Sequence, residues 1–175
     1  MQYVEASGLS FRGHLGFLRP MAVSLFDSLR SLKKDHSVVV YGPPGTGKSI
    51  TAWSFAVERM RAGEPVIWIH LASGNAQSSL VLLRPGPHLQ VCKGNTVELL
   101  KQLDVRAGDE ILCSATLLVL DGMTDSHLHS TAAAMERADG WRSAAAGRRV
   151  IMVTSQQLEL NEAELETNHI EDVPV

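Results

Sequence analysis

The chain has 175 residues, of which 45% are hydrophobic and 20% are charged, and its formal net charge is -3. That length suits one domain with a sizeable core, and the composition is ordinary for a soluble globular protein. The slightly acidic balance excludes an overall basic surface, so contact with nucleic acid would need a local patch or a further domain.

No apolar run approaches the length of a membrane span, and the first residues do not predict a signal peptide. The two cysteines, Cys92 and Cys113, stand in apolar surroundings without the spacing of metal ligands, and we expect them to be buried thiols. These features are typical of an intracellular protein in a reducing compartment that does not bind membranes.

Residues 1–36 are expected to hold an N-terminal segment followed by a helix that covers a sheet. Pro20 suits the first turn of such a helix. Apolar residues then recur with helical spacing, at Met21, Leu25, Leu29 and Leu32.

A strand, a glycine-rich loop and a helix are predicted between residues 37 and 61. The β-branched run at 37–41 predicts the strand, and the residues from Ile50 onward predict a helix that stops at Gly63. Between them the chain follows the pattern G-x-x-x-x-G-K-[ST], which is formed by Gly42, Pro43, Pro44, Gly45, Thr46, Gly47, Lys48 and Ser49.

This loop predicts a site for the phosphates of a nucleoside triphosphate, with Ile50 at its edge. Its backbone amides and the N-terminus of the helix would bind the phosphate oxygens. Lys48 is expected to reach the β- and γ-phosphates, and the Ser49 hydroxyl to bind Mg²⁺. The alternative is a Gly/Pro turn that only joins a strand to a helix, but the flanking elements are the context that the motif requires.

The next part of the chain predicts a buried strand, two short strands and a helix. Residues 66–71 form an almost unbroken apolar run, typical of a parallel strand that is covered on both faces. Residues 80–83 and 89–92 predict a hairpin or an edge insertion. Asn95 would cap a helix that runs to Leu103. Its inward-facing residues are predicted to be Val97, Leu100 and Leu103.

Two further apolar strands are predicted, and each ends in polar residues. Residues 116–122 include Asp121 near their end, and residues 150–155 end in Thr154 and Ser155. Because both runs are apolar apart from their ends, they fit the interior of a parallel sheet.

The alternation of apolar strands and helices predicts an α/β fold, a three-layer sandwich around a mainly parallel sheet, with its core at residues 37–157. Residues 126–146 are rich in alanine and predict a helix, either continuous or broken near Gly140. Residues 158–175 are acidic and contain neither Lys nor Arg, so we expect a loosely held tail.

Ligands of such sheets bind at the carboxyl ends of the strands, where the phosphate loop, Asp121, Thr154 and Ser155 would meet. Mg²⁺ that is bound with a triphosphate needs a hydroxyl and a carboxylate, which Ser49 and Asp121 would provide. Alternatively, Asp121 only starts a turn, and the hydroxyl pair only caps the next one.

The order of these parts resembles the ATPase branch of the P-loop NTPases that includes the AAA+ proteins, with residues 42–49 as Walker A and Asp121 as Walker B. The resemblance implies ATP hydrolysis with Lys48 and Asp121 in the catalytic site. It makes Thr154 or Ser155 the first sensor, which contacts the γ-phosphate or the attacking water. It also implies that self-association or a neighbouring domain completes the site.

The sequence departs from that pattern at Gly122, where active members usually carry the glutamate that orients water. Arg148 and Arg149 precede the last strand, so they would lie away from the nucleotide and could not act as an arginine finger. The small helical lid of AAA+ proteins is not predicted either, and we therefore expect slow hydrolysis. Three side chains could act instead as the base that orients water, or could be surface residues without a catalytic role: Asp125, His127 and His129.

A narrower resemblance is to the NTPase module of crinkler effectors and retrotransposon hot spot proteins. It is carried by residues 66–70, residues 119–122 without the glutamate, and residues 148–157. It implies one module of a longer chain, often with a nuclease-like domain, in which any nucleic-acid activity resides outside this sequence. It also implies a nuclear protein or one secreted into a host cell.

Three functions follow as hypotheses. The first is a slow Mg²⁺-dependent ATPase that acts as a switch or effector module. The second is a catalytically silent module that binds nucleotide only to fix its shape. The third is a small-molecule kinase, which would need an arginine-bearing lid that the sequence between Asp121 and Val150 does not predict. GTP is not expected, because no Asn-Lys-x-Asp stretch occurs to read guanine.

Overall fold

The computed structural model describes residues 20–72, 77–86, 89–103, 114–123, 128–155 and 170–174. The helices are α1 (Pro20–Ser31), α2 (Lys48–Arg61), α3 (Thr96–Lys101) and α4 (Leu128–Ser143). The strands are β1 (Ser37–Tyr41), β2 (Val66–His70), β3 (Ser78–Leu83), β4 (Gln90–Gly94), β5 (Leu117–Met123), β6 (Arg149–Thr154) and β7 (Ile170–Pro174). Along these residues the order is α1, β1, α2, then the three strands β2, β3 and β4, then α3, β5, α4, β6 and β7.

The described strands form one sheet in the order β4-β3-β2-β5-β6-β1-β7. Neighbouring strands from β2 to β7 in this order are parallel, whereas β3 pairs antiparallel with both β2 and β4. The prediction of a mainly parallel α/β sheet is therefore confirmed. The two short strands predicted around residue 86 are the hairpin β3–β4, which lies at one edge of the sheet.

Helices cover both faces of the sheet, because successive residues of a strand point to opposite sides. On one face Val38 and Val119 pack with Phe55 of α2 and with the buried leucines of α1. On the other face Val39 and Leu118 pack in a cluster that includes residues of α3 and α4. Strands β1, β2, β5 and β6 are buried on both sides, as expected for the parallel part of a three-layer sandwich.

The first and third helices differ from the sequence prediction in one residue each. Leu25 and Leu29 in α1 and Leu32 directly after it are buried, but Met21 in the first turn is 45% exposed. In α3, Asn95 caps the helix as predicted, since its Oδ1 accepts a hydrogen bond of 2.8 Å from the amide of Val97.

The prediction that Val97 faces inward is wrong, because its side chain is 51% exposed. The buried residues are Leu99, Leu100 and Leu103, which share one face of the helical turn. At about 100° per residue, Val97 lies about 160° from Leu99 and about 120° from Leu103, and therefore falls outside the buried face.

The carboxyl-terminal residues also differ from the prediction. Residues 170–174 form β7, which pairs in parallel with β1 from Ser37 opposite Ile170 to Tyr41 opposite Pro174. The expectation of a loosely held tail is thus wrong for these residues. An edge strand tolerates charged residues and a proline. The composition of residues 170–174 therefore did not indicate that they form a strand. Helix α4 runs through Gly140 without a break.

An ion network joins the end of α2 to the start of β6, at the sheet edge opposite the phosphate loop. Arg59 Nε donates to Glu64 Oε2 at 2.9 Å, and Arg149 Nη2 donates to the same oxygen at 2.7 Å. The hydrogen bond from Arg59 holds the pKa of Glu64 below its usual value, although burial opposes this, and the charge of Arg149 adds to it.

We predict that Glu64→Gln lowers the free energy of unfolding at pH 7 by about 1–3 kcal/mol, because two arginines lose a charged acceptor. A lowered pKa in the folded state stabilises the protein above the pKa of the unfolded state. That contribution is lost as the pH falls through the folded-state pKa, so wild type and variant should converge in acid. Urea denaturation at pH 7 and near pH 3 measures both values. Glu58→Gln, at a more exposed pair with Arg30, should change little. An equal deficit of Glu64→Gln at both pH values would contradict the account.

Candidate functional site

The glycine-rich loop leaves the carboxyl end of β1 and turns directly into α2. Gly42, Gly45 and Gly47 have φ angles of 147°, 79° and 93°, in the region that side chains with a Cβ rarely adopt. A Cβ at Gly45 or Gly47 would project into open space, so a ligand can approach the backbone there. Helix α2 begins at Lys48, and its first amides face the same space.

Lys48 is held inside this loop and is only 6% exposed. Its Nζ donates hydrogen bonds to the carbonyl oxygens of Gly42 at 2.7 Å and Pro43 at 2.8 Å, and to Thr46 Oγ1 at 3.2 Å. Burial lowers the pKa of the Lys48 ammonium, and the negative charge of Asp121 opposes that effect. The loop therefore holds a positive charge beside its own amides, which favours an anion.

Asp121 lies at the carboxyl end of β5 and is fully buried. Its Oδ2 is 2.7 Å from Nδ1 of His70, the last residue of the adjacent β2. Its Oδ1 is buried and has no hydrogen-bond partner among the described residues. A buried carboxylate oxygen without a protein partner is suited to a cation or to a water molecule bound to one.

Gly122 follows in a β-bulge, where β5 gains one residue relative to β6. Its φ is 83°, and a Cβ built on it would lie 2.4 Å from the carbonyl oxygen of Leu71. Such a contact is far shorter than two atoms tolerate. The residue after Asp121 is thus glycine for a structural reason, and a glutamate could not be accommodated there without moving the backbone.

One pocket of about 490 Å³ brings the predicted residues together at the carboxyl edge of the sheet. Because β6 lies between β1 and β5, its end places Thr154 between the phosphate loop and Asp121. Thr154 is buried and Ser155 is half-buried. The predicted site residues that line the pocket are Pro44, Gly45, Gly47, Lys48, Ser49, Ile50, Asp121, Thr154 and Ser155.

The other predicted loop residues, Gly42, Pro43 and Thr46, contribute through their contacts with Lys48. Of the candidate bases, Asp125 and His127 lie outside the described residues. His129 belongs to α4, but its side chain also lies outside the described part.

Arg148 and Arg149 lie at the opposite edge of the sheet, as predicted. The guanidinium of Arg148 packs 4.4 Å from the centre of the Trp141 ring, and Arg149 pairs with Glu64. Both arginines are engaged in packing and ion pairing away from the pocket.

His70 is the residue that the sequence interpretation missed. It was read as part of an apolar strand, but its ring contacts Asp121 and is partly exposed at the site's edge. The available signal was its place: a polar side chain at the carboxyl end of a buried strand beside the Asp121 strand.

Among the described residues, no group of three or more His, Cys, Asp or Glu side chains is arranged to hold a metal. A Mg²⁺ ion here would therefore depend on Ser49, Asp121, water and the phosphates of a nucleotide, which is how proteins commonly bind this ion. The described helices include none long and apolar enough to cross a membrane. Cys92 is partly buried rather than fully buried, and Cys113 lies outside the described residues.

Residues 20–79 match the model of a family described as ATPase: KaiC. This part of the chain is KaiC-like. It contains α1, β1, the phosphate loop, α2 and β2, but neither Asp121 nor Thr154. The match supports nucleotide binding of the ATPase type at the loop, whereas the remainder of the site rests on its geometry.

Among solved structures, the chain is similar to PCH-2 of C. elegans, with a TM-score of 0.48 and 18% sequence identity. The likeness covers 89% of this chain and 40% of that chain, so this sequence spans less than half of the PCH-2 structure. No curated protein matches significantly. Neither match is to a crinkler or a retrotransposon hot spot protein, and the narrower resemblance gains no support.

Proposed function

We propose that this chain binds ATP with Mg²⁺ and hydrolyses it slowly, as a switch or effector module. The observation that carries the proposal is the single pocket in which the phosphate loop, Asp121 and Thr154 meet. Its volume of about 490 Å³ lies in the range of small-molecule sites.

In the proposed complex, the loop amides and the N-terminus of α2 bind the phosphate oxygens. The Lys48 ammonium exchanges its contacts with the loop carbonyls for contacts with the β- and γ-phosphates. Ser49 Oγ and Asp121 Oδ1 would hold Mg²⁺ and its water. Mg²⁺ when bound neutralises charge on the phosphates.

Thr154 or Ser155 is proposed to contact the γ-phosphate or the attacking water, since both line the pocket on the strand between the loop and Asp121. Hydrolysis is proposed to be slow because residue 122 has no side chain to orient that water. Self-association or a neighbouring domain would then raise the rate by supplying a missing group.

A silent nucleotide-binding module is the second candidate, and the bulge at Gly122 favours it, because the usual position of the base is closed by the backbone. A kinase is not favoured, since no arginine is among the described residues that line the pocket. A crinkler-like setting would place this chain in a longer protein, but the proposed chemistry does not depend on it.

Binding is tested by titration calorimetry and by thermal unfolding with Mg²⁺-ATP. We expect saturable heat and a raised melting temperature for the wild type. Lys48→Ala should lower the affinity for ATP by roughly ten- to hundredfold, since a charged hydrogen-bond donor to phosphate is lost. Lys33→Ala, an exposed lysine outside the pocket, is the matched control and should bind as the wild type does. Well-folded wild-type protein that gives neither heat nor a thermal shift would refute the proposal.

A further inference from the structure

We propose that His70 is the positioning residue of the metal-binding carboxylate: it fixes Asp121 by donating from Nδ1 to Oδ2, so that Oδ1 faces the ion. The inference rests on the proposed function, because the ion would be bound with the nucleotide. His70 itself is not proposed to touch nucleotide or metal.

The first observation is the contact itself. Nδ1 of His70 and Oδ2 of Asp121 are 2.7 Å apart, within the range of a short, charge-assisted hydrogen bond. When the carboxylate of Asp121 is ionised it can only accept, and the ring then donates from Nδ1. The side chain of Asp121 is 1% exposed and that of His70 is 24% exposed, so little water competes for the bond.

The second observation is the asymmetry of the two carboxylate oxygens. Oδ2 is satisfied by His70, whereas Oδ1 is buried and has no partner among the described residues. With one oxygen engaged, the carboxylate cannot rotate without breaking a buried hydrogen bond. Its remaining oxygen is therefore held in one orientation. Hydrogen-bond partners of metal ligands commonly fix the ligand's orientation in this way.

The third observation is local geometry that places His70 beside this group. The amide of Leu71 donates to the carbonyl oxygen of Asp121 at 2.8 Å, which fixes the ends of β2 and β5 together. The bulge at Gly122 leaves no side chain after Asp121, and Cε1 of His70 lies 3.6 Å from where a Cβ of residue 122 would start. The imidazole thus occupies the volume next to the position that a glutamate would have taken.

The roles of the two ring nitrogens of His70 can be distinguished by substitution. The amide nitrogen of asparagine takes nearly the position of Nδ1, and that of glutamine nearly the position of Nε2. His70→Asn therefore keeps the proposed donor, while His70→Gln moves it away from Asp121. The two variants are a matched pair, because both keep a neutral polar side chain.

The first measurement is the gain in ATP affinity caused by Mg²⁺, taken as the ratio of dissociation constants in EDTA and in Mg²⁺. We expect His70→Ala and His70→Gln to lose roughly tenfold of that gain, and His70→Asn to lose less than about threefold. Binding in EDTA should be unchanged in all three. If His70→Gln keeps the gain and His70→Asn loses it, or if all three keep it, the positioning role is overturned.

The second measurement needs neither nucleotide nor activity. Long-range ¹⁵N–¹H NMR spectra of the free protein distinguish a proton on Nδ1 from one on Nε2. We expect the proton of the neutral His70 ring to be on Nδ1. In Asp121→Ala this proton should exchange with water faster, because its acceptor has been removed. A neutral His70 ring that carries its proton on Nε2 would overturn the inference, even if the protein binds Mg²⁺-ATP. Failure of the wild type to bind ATP, with Nδ1 protonated, would instead refute the proposed function alone.

Discussion

Asp121→Asn should lower Mg²⁺-dependent ATP hydrolysis by roughly a hundredfold or more. The substitution preserves the shape of the side chain but removes the charge from the oxygen that is proposed to hold the ion. Charge stabilisation by a well-placed metal is worth several kcal/mol in the transition state, and about 2.7 kcal/mol corresponds to a hundredfold in rate. Phosphate release, measured per chain over a range of protein and Mg²⁺ concentrations, gives the rate.

The control for this prediction is Asp27→Asn, which changes an exposed carboxylate in α1 and should hydrolyse ATP at the wild-type rate. ATP binding in EDTA should be retained in Asp121→Asn, since the loop and Lys48 are intact. If Asp121→Asn hydrolyses ATP at the wild-type rate, Asp121 has no part in catalysis. A wild type without Mg²⁺-dependent turnover at any concentration would favour the silent module.

Gly122→Ala should be severely destabilising, by about 2–4 kcal/mol. The residue has a φ of 83°, which costs a residue with a Cβ about 1–2 kcal/mol. In addition, the new Cβ would lie 2.4 Å from the carbonyl oxygen of Leu71, so the ends of β2 and β5 must separate. Urea denaturation measures the loss.

The matched control is Gly140→Ala in α4, where a Cβ would meet nothing within 4 Å. There alanine should stabilise the protein by about 0.5–1 kcal/mol, because it has the higher helix propensity. Equal stability of Gly122→Ala and the wild type would mean that the bulge can relax. Gly122→Glu should likewise fail to raise hydrolysis, since its Cβ meets the same carbonyl oxygen.

The phosphate loop was predictable because each of its residues has a local chemical reason. Gly45, Gly47 and Lys48 are required by backbone conformation and by phosphate charge, and the strand before them and the helix after them are equally local. The meeting of Asp121 and Thr154 with the loop followed from one general rule, that parallel strands present their carboxyl ends at the same edge.

What the sequence could not predict depends on contacts between distant residues. The His70–Asp121 bond joins two strands that are neighbours only in the folded sheet, and the pattern of β2 alone makes His70 the end of an apolar run. Residue 122 must be glycine because the carbonyl oxygen of Leu71 leaves no room for a Cβ. This contact cannot be predicted from the residues around Gly122. Strand β7 could not be predicted for the same reason. Its acidic composition does not indicate a strand, and it forms one by pairing with the distant strand β1.

The strand that carries the phosphate loop takes both of its neighbours from the last part of the chain. β1 lies between β6 and β7, so both of its edges are bare until those residues have been synthesised. A fragment that ends before β6 would keep the whole G-x-x-x-x-G-K-[ST] motif but leave an apolar strand open to aggregation. Nascent chains should therefore acquire affinity for nucleotide only late, and together with the completed sheet, so that the motif by itself does not amount to a binding site.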